Sequence, residues 1–479
     1  MGERNKREGV FLHHHHRSLR RPLRAGLWLE RHLTTQQFTF AQLWRMFVPL
    51  VFDQLFIYLI NILSVSMVSS SGEAAVAAVS MVGSLGMIIS AVFAGLSTGG
   101  SILVAQARGA QDDERVCQCI GQTILLAGAA AVAATAAFAG FAGPMVRALY
   151  PMAEPLLIEY ASQYLFLISL SYIPYALYNA IFSIYRGLGD SKSSLALTIV
   201  INSTHLVCSF VCINGLQLGV IGSGLSYIIA RVVGAGMAVL WLFHMRNPVG
   251  MRFGYLLRVS HAIQRGIFRV GLPMSLEQIL FQAGAVVAQL YIATLSTATI
   301  AANGIAASAY NLYYATAFAL TTLTTTVCGQ CFGAHLPDLA QQYCASFTKM
   351  GRVLILGTVL VVSPFMPLVL RLYSPSAEAL PQIYLALGIG AVLMPMVWSD
   401  AYVPPSAMRA AGDSLAVTII SLMAMWIGRV LVGWVLTIPC GLGIAGVWLS
   451  YGAEWLLRLI LFRARLRSGR WMRGTAAQA

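Results

Sequence analysis

Pro49-Leu50-Val51-Phe52-Asp53-Gln54 and Pro273-Met274-Ser275-Leu276-Glu277-Gln278 are two copies of one pattern, a proline followed four residues later by a carboxylate and then a glutamine. Each copy lies inside a long apolar run. A carboxylate at membrane depth is rare and costly, so it is by default a functional hypothesis. Its occurrence at matching places in two halves of the chain predicts equivalent roles for Asp53 and Glu277.

The composition places the chain in a membrane. Of its 479 residues, 58% are hydrophobic and 10% are charged, whereas soluble domains carry roughly 25% charged residues. This excludes a soluble enzyme and predicts an all-α integral membrane protein. The net charge of +14 lies mostly at helix ends and at both termini, which is not the basic face of a nucleic-acid-binding protein. Among the eight cysteines, Cys328-x-x-Cys331 is half of a metal-binding pattern, but no second pair has metal-ligand spacing, so neither a metal site nor a disulfide framework is predicted.

Apolar runs predict about twelve transmembrane helices, because a spanning helix needs about 20 residues. The runs cover residues 43–68, 78–104, 120–141, 160–184, 195–213, 218–243, 270–295, 300–327, 353–372, 383–405, 415–436 and 442–462. This predicts a basic N-terminal arm at 1–42, a first lobe at 43–244, a linker at 245–269, a second lobe at 270–462 and a basic tail at 463–479. The arm contains a short run, His13 to His16, and arginines suited to an anionic membrane surface.

Lysine and arginine collect in the loops of one side. That side holds the arm, Arg108 and Arg115, Arg186 and Lys192, the linker, Lys349 and Arg352, Arg409, and the tail; the other shows only Arg147 and Arg371. Positive charge marks the cytoplasmic side, so both termini are expected there, in a bacterial-type inner membrane.

Other motifs repeat at the same offset of about 224 residues. They are Gln106-x-x-Gly109-Ala110 with Gln330-x-x-Gly333-Ala334, Arg186-x-x-Gly189-Asp190-Ser191 with Arg409-x-x-Gly412-Asp413-Ser414, and Leu218-Gly219 with Leu442-Gly443. A repeat of six helices keeps both copies the same way up, which predicts two homologous six-helix lobes related by an axis along the membrane normal. Two such lobes can rock about a central site and open alternately to either side.

In this order and duplicated, the motifs resemble the multidrug and toxic compound extrusion (MATE) transporters. The resemblance covers residues 47–471 and also includes Gly72-Glu73-Ala74-Ala75, Met425-Trp426-Ile427-Gly428-Arg429 and Gly446-Val447-Trp448. It implies export of organic cations or amphiphilic drugs in exchange for Na⁺ or H⁺. Two departures put an ion site in the first lobe in doubt: Ser64 replaces an acidic residue of many members, and Leu206 follows Asn202 at the spacing where some members have Asp.

Three carboxylates are the candidates for ion coupling or substrate binding: Asp53, Glu277 and Asp400. Each could be neutralised by a proton or a sodium ion, or could be a structural carboxylate. Asp400 precedes Pro404-Pro405, and prolines free backbone carbonyls in the preceding turn. This predicts a possible Na⁺ site at Glu277 and Asp400, with no other metal.

Supporting polar residues are expected deeper in the helices. They are Asn61, Asn202, Thr204, His205, Arg429 and Glu454. A buried arginine needs an anion, so Arg429 is expected to pair with Asp400, Glu277 or Glu454. His205, at the matching place in the first lobe, could relay protons or simply be hydrogen-bonded packing.

The two Arg-x-x-Gly-Asp-Ser loops are interpreted as structural. Asp190 and Asp413 are expected to cap the helices that follow them and to pair with Arg186 and Arg409.

The function predicted is secondary antiport of cationic or amphiphilic small molecules, with no cofactor beyond the coupling ion and a functional monomer surrounded by lipid. A lipid-linked oligosaccharide flippase is the alternative, and it would need a strongly basic cavity, for which only Arg231, Arg429 and His205 are available. A membrane-embedded enzyme would need a metal cluster or a nucleophile with its base at one depth, and no such spacing occurs.

Overall fold

The computed structural model describes residues 37–68, 73–152, 154–247, 249–371, 373 and 375–472. The His13 to His16 run and most of the predicted arm lie outside these residues. Within them, all regular secondary structure is helical. The first lobe consists of α1 (Phe40–Val68), α2 (Glu73–Gly109), α3 (Asp113–Gly140), α4 (Ala142–Leu149), α5 (Pro155–Leu170), α6 (Tyr172–Leu188), α7 (Ser191–Ser209) and α8 (Gly219–Leu240), with π-helical segments at Phe210–Gly215 and Trp241–Met245.

A short helix, α9 (Gly254–Leu257), lies in the connection to the second lobe. That lobe consists of α10 (His261–Ile292), α11 (Thr297–Tyr310), α12 (Tyr314–Gly333), α13 (Pro337–Val362), α14 (Met366–Arg371), α15 (Ala379–Leu393), α16 (Ser399–Ala410), α17 (Ser414–Ala424), α18 (Val432–Thr437) and α19 (Gly443–Arg467). Segments at Met394–Trp398 and Met425–Leu431 are π-helical, and those at Asn311–Tyr313, Ser363–Phe365 and Arg470–Met472 are 3₁₀-helical.

The described residues contain 10 helical segments long and apolar enough to span a membrane, and α5 with α6 makes 11. These two helices meet at an angle of 46°. Pro174 explains the break, because a proline lacks an N–H and its ring clashes with the carbonyl four residues earlier. The remaining predicted run, 300–327, is divided by the 3₁₀ turn Asn311–Tyr313 into α11 and α12. The predicted all-α membrane fold is confirmed, and the residue limits given for arm, lobes, linker and tail stay predictions.

The first helix of each lobe packs partly against the opposite lobe. Phe38, just before α1, and Leu43, Phe47 and Leu50 near its start are buried in one cluster with Leu320 and Phe347 of the second lobe. The start of α10 packs on α2 of the first lobe. Glycines permit that contact: a Cβ added at Gly95 would lie 2.6 Å from the carbonyl oxygen of Gly271, and one added at Gly271 would lie 2.8 Å from that of Gly95. Small residues let membrane helices approach this closely.

Candidate functional site

In the first lobe, Asp53 forms an ion pair with Arg186, which lies in the last turn of α6. Asp53 is fully buried, and the Arg186 side chain is 18% exposed and stacks 4.1 Å above the Phe182 ring. We call Asp53 and Arg186 the N-lobe pair. A carboxylate buried this deeply is held by its guanidinium partner, since an unpaired buried charge costs several kcal/mol.

In the second lobe, Glu277 forms the equivalent ion pair with Arg409. A single Arg409 nitrogen contacts both carboxylate oxygens. Its Nη2 donates to Glu277 Oε1 at 2.8 Å and to Oε2 at 2.7 Å. Thr418 Oγ1 adds a donor to Glu277 Oε2 at 3.2 Å. We call Glu277 and Arg409 the C-lobe pair. The partners are 133 residues apart in the first lobe and 132 in the second, so the repeat preserves the ion pair as well as the motifs.

The expected pairing of Arg186 with Asp190 and of Arg409 with Asp413 is therefore wrong. The arginines reach back into the lobe, where the buried carboxylates are the more demanding partners. Asp190 does cap α7, accepting from the Ser193 backbone N–H at 3.1 Å and from its hydroxyl at 2.5 Å. Asp413 makes no cap and instead takes two bonds from Arg465, at 2.9 and 3.0 Å.

The two repeated carboxylates differ in how many of their oxygens are satisfied. Both oxygens of Glu277 accept hydrogen bonds. Asp53 Oδ1 is buried and has no hydrogen-bond partner among the described residues, while Arg186 and Gln54 both approach Oδ2. A buried acceptor without a partner is costly. Asp53 thus retains one oxygen able to take a proton or a cation while its ion pair stays formed.

A second buried cluster, the glutamate centre, is built on Glu454 of α19. Arg429 Nη2 lies 2.6 Å from Glu454 Oε2, and Arg458 Nε donates to Oε1 at 2.9 Å. Glu454 is fully buried, and Arg429 and Arg458 are 13% and 3% exposed. Of the three carboxylates expected for Arg429, the structure selects Glu454. Arg429 belongs to the π-helical segment Met425–Leu431, an irregularity that often marks functional positions.

The first lobe has no such carboxylate at the matching place. By the offset of 224 residues, His205 corresponds to Arg429 and Ala230 to Glu454, and Arg231 is the next residue. Arg231 is buried, donates to the Ser171 hydroxyl at 2.5 Å and stacks 4.1 Å over Tyr175. The His205 ring lies 4.2 Å from that of Tyr227. Aromatic faces stabilise a cation, so Arg231 is held by tyrosine rings and a hydroxyl instead of by a carboxylate.

Asp400 is placed away from the C-lobe pair. Arg352 donates to its two oxygens at 2.8 and 2.7 Å, and Arg463 Nη2 donates at 2.9 Å. Glu277 is instead held by Arg409 and Thr418, so the described residues do not assemble the predicted joint Na⁺ site at Glu277 and Asp400. Two guanidinium groups already compensate this carboxylate. The described residues contain no group of three or more His, Cys, Asp or Glu side chains able to hold a metal ion.

Replacement of Asp400 by asparagine is expected to leave cation coupling intact. Arg352 and Arg463 are 44% and 51% exposed and can be hydrated when the carboxylate is lost. The cost is therefore on the order of 1 kcal/mol per partner, the range of solvent-screened ion pairs. Thermal unfolding and gradient-driven transport of Asp400→Asn test this. Normal stability with loss of ion-driven transport would return Asp400 to the coupling site.

The supporting polar residues of the first lobe are separate from the N-lobe pair. Asn202 Nδ2 donates to the Thr198 carbonyl at 2.9 Å within α7, and Thr204 is half-buried on the same helix. The Asn61 side chain lies outside the described residues.

The repeated glutamines join the two lobes reciprocally. Gln106 Nε2 donates to the Ala410 carbonyl at 2.8 Å, and Gln330 Nε2 donates to the Gly187 carbonyl at 3.2 Å. A Cβ added at Gly109 would lie 1.9 Å from the Gln330 carbonyl oxygen, and one at Gly333 would lie 1.8 Å from that of Gln106. We call Gln106, Gly109, Gln330 and Gly333 the crossing. It joins the two lobes on the arginine-rich side, hereafter the basic face.

The crossing is directly connected to the ion pairs. Gly187 follows Arg186 and Ala410 follows Arg409, and Thr326 Oγ1 of the second lobe donates to the Arg186 carbonyl at 2.9 Å. The residue that neutralises each carboxylate therefore adjoins the backbone that holds the opposite lobe. Sequence reasoning found the glutamine repeat but not its role. The signal was available, since a glutamine at the same place in both halves must satisfy a side-chain amide at membrane depth.

The fold and the site define a two-lobe membrane protein with duplicated carboxylate–arginine pairs beside a reciprocal contact between lobes. The MatE family model matches the chain twice, over residues 49–211 and 273–435, so the chain belongs to the MatE family and the resemblance to MATE transporters is confirmed. The two matches also coincide with the two copies of the repeat.

The chain has low sequence identity to its curated relatives, but the alignments cover most of each chain. The chain is 22% identical over 404 residues to a probable multidrug resistance protein NorM of Thermotoga maritima, covering 80% of this chain and 82% of the relative. It is 25% identical over 448 residues to a probable NorM of Geobacillus kaustophilus, covering 91% and 96%.

Solved structures share the fold. One described as the outward-facing conformation of a multidrug resistance MATE family transporter of the MOP superfamily has a TM-score of 0.85 at 21% identity, covering 93% of this chain and 99% of that one. A MOP superfamily transporter from Pyrococcus furiosus, whose description reports a binding pocket of reverse polarity, has a TM-score of 0.82 at 21% identity, covering 90% and 96%.

Proposed function

We propose that the chain is a multidrug exporter that moves cationic or amphiphilic small molecules out of the cell in exchange for Na⁺ or H⁺, and that it catalyses no chemical reaction. The observation that carries this proposal is the link from Asp53 through Arg186 to the crossing. The names of the curated relatives support the substrate class. The arginine content of the basic face supports a cytoplasmic orientation for that face and for both termini, in an inner membrane.

Asp53 is the proposed coupling residue. While Asp53 is ionised, it holds Arg186, and the adjoining carbonyls of Arg186 and Gly187 accept from Thr326 and Gln330 of the second lobe. Binding of a proton or Na⁺ at the unpartnered Oδ1 neutralises the carboxylate and weakens its hold on Arg186. The backbone at the crossing is then less constrained, and the basic face can open.

The order of events follows from this link. With the basic face closed, the protein is open or opening to the outside, where substrate leaves and the coupling ion binds. The ion favours the state with the basic face open, in which substrate from the cytoplasm is taken up. An ion can shift the two states only by its difference in affinity for them, and the unpartnered oxygen of Asp53 supplies such a difference.

The flippase alternative receives less support. It needs a strongly basic cavity for a pyrophosphate, but Arg429 is already paired with Glu454. Only His205 and Arg231 remain of the three cations weighed for that function.

The test is transport of a fluorescent organic cation in proteoliposomes, driven separately by a Na⁺ gradient and by a pH gradient. Asp53→Asn is expected to reduce gradient-driven transport at least about tenfold, the value of 1.4 kcal/mol of lost coupling. It should still bind the dye. The effective gradient identifies the ion.

Glu277→Gln is the matched control, since Glu277 occupies the same place in the repeat with both oxygens engaged. Glu277→Gln is expected to lower the thermal stability of the protein and to leave ion-driven transport less affected than Asp53→Asn does. Equal ion-driven transport by Asp53→Asn and the wild type would refute the assignment of Asp53, and no cation transport under either gradient would refute the proposed function.

A further inference from the structure

A cleft of about 1480 Å³ opens on the basic face between the two lobes. The first lobe contributes Leu103, Ala107 and Arg115 to its lining, and the start of α10 contributes Ala262, Arg265 and Arg269. The end of α12, the turn after it and the start of α13 contribute Phe332, His335 and Asp338. Because both lobes line the cleft, anything bound in it contacts both.

The arginines of this cleft lack internal counter-ions. Arg115, Arg265 and Arg269 are exposed, and none of them forms an ion pair with a described carboxylate. Of the neighbouring acids, Asp113 pairs with Arg108 and Glu114 with Arg258, and Asp112 accepts from the backbone N–H of Arg115. Asp338 is the one carboxylate in the lining, so the cleft keeps a net positive charge.

The placement of two of these arginines is unfavourable for the helix itself. Arg265 and Arg269 are four residues apart on α10, where like charges repel across one turn. The first turn of α10 contains no acidic residue, and Ser260 provides no side-chain cap. An external anion would relieve the repulsion between the two arginines.

Apolar side chains continue from the arginines along the same helix. Phe268 and Leu272 line the cleft and are 37% and 53% exposed. Leu272 lies seven residues beyond Arg265, roughly 10 Å further along α10 at 1.5 Å per residue. The cleft is thus cationic at the membrane surface and apolar below it. A free phosphate or a nucleotide would use the first feature and leave the second exposed.

We propose that this cleft binds an anionic phospholipid, with its phosphate on Arg115, Arg265 and Arg269 and its acyl chains against Phe268 and Leu272. Basic pockets between helices on the cytoplasmic side are suited to acidic headgroups. Held by both lobes, the lipid stabilises the arrangement in which the basic face is closed. If these arginines instead served only to set the membrane topology, they would bind no specific lipid.

The test is native mass spectrometry of the purified full chain titrated with dioleoylphosphatidylglycerol, with dioleoylphosphatidylcholine and inorganic phosphate as separate arms. We expect a tight phosphatidylglycerol adduct that phosphatidylcholine does not form and inorganic phosphate does not displace. Arg265→Gln with Arg269→Gln should weaken binding about thirtyfold, from about 1 kcal/mol per arginine at the surface.

Two further variants separate a site from general surface charge. Ala262→Trp fills the cleft without changing its charge and should also weaken binding. Arg467→Gln with Arg470→Gln removes the same charge from the basic tail, outside the lining, and should bind as the wild type does. Equal loss in the tail variant, wild-type binding by Ala262→Trp, or displacement of the lipid by phosphate would each overturn the proposal.

Discussion

Replacing Glu454 by glutamine is expected to prevent accumulation of folded protein. The change leaves Arg429 and Arg458 buried without their shared carboxylate. Removing one partner of a buried ion pair costs about 3–5 kcal/mol, and here one substitution orphans two cations. The Tyr402 hydroxyl, 3.4 Å from Glu454 Oε1, and the Ser421 hydroxyl, 3.0 Å from Arg458 Nη1, cannot replace a negative charge.

Size-exclusion yield and thermal unfolding in detergent measure this effect. Glu159→Gln is the matched control, because Glu159 is an exposed glutamate. Among the described residues, its side chain accepts a hydrogen bond only from Gln163. Glu454→Gln combined with Arg429→Gln should recover part of the loss, since one of the two orphaned cations is then removed. A normal yield and melting temperature for Glu454→Gln alone would show that the glutamate centre is not structural.

Alanine at Gly109 or Gly333 is expected to hold the basic face open and to reduce transport. The added methyl carbon would lie 1.9 or 1.8 Å from a backbone oxygen of the opposite lobe, and no side-chain rotation relieves a clash with backbone. Overpacking of this kind costs typically 1–3 kcal/mol. Because this cost applies only to the state with the basic face closed, it shifts the equilibrium towards the open state roughly 5- to 150-fold. Alanine otherwise favours a helix over glycine, so the effect cannot come from helix propensity.

Hydrogen–deuterium exchange reports the opening directly, as faster exchange in the peptides that contain residues 106–111 and 330–336. Gly128→Ala and Gly357→Ala are the controls, because nothing lies within 4 Å of a Cβ added at either position. Wild-type exchange and transport in Gly109→Ala would mean that the crossing does not govern access to the basic face.

The sequence was sufficient for the fold because membrane physics leaves few choices. Long apolar runs, arginine in alternate loops and a repeat of six helices each point to two parallel lobes. The position of Asp53 and Glu277 as a matched pair also followed from the repeat. The break between α11 and α12 did not follow, because residues 300–327 read as one continuous apolar run.

Partners were harder to predict than positions. Arg186 and Arg409 were assigned to the nearest acids in sequence, whereas three-dimensional packing gives them Asp53 and Glu277. Asp400 was assigned to an ion site from its neighbouring prolines, but Arg352 and Arg463 reach it from two other helices. Which charged side chains meet across a bundle depends on how the helices are rotated and on how far the side chains reach. Local sequence does not determine this geometry.

The reciprocal crossing has the form of a symmetric dimer interface contained in one polypeptide. In such an isologous contact, residue i of one unit meets residue j of the other, and j meets i in return. Gln106 with Ala410 and Gln330 with Gly187 meet this definition across the two halves of the gene product. The two hydrogen bonds are therefore copies of one contact, and a hinge motion that respects the symmetry makes or breaks both at once. Under the proposed rocking motion, opening of the basic face is therefore expected to be an all-or-none event.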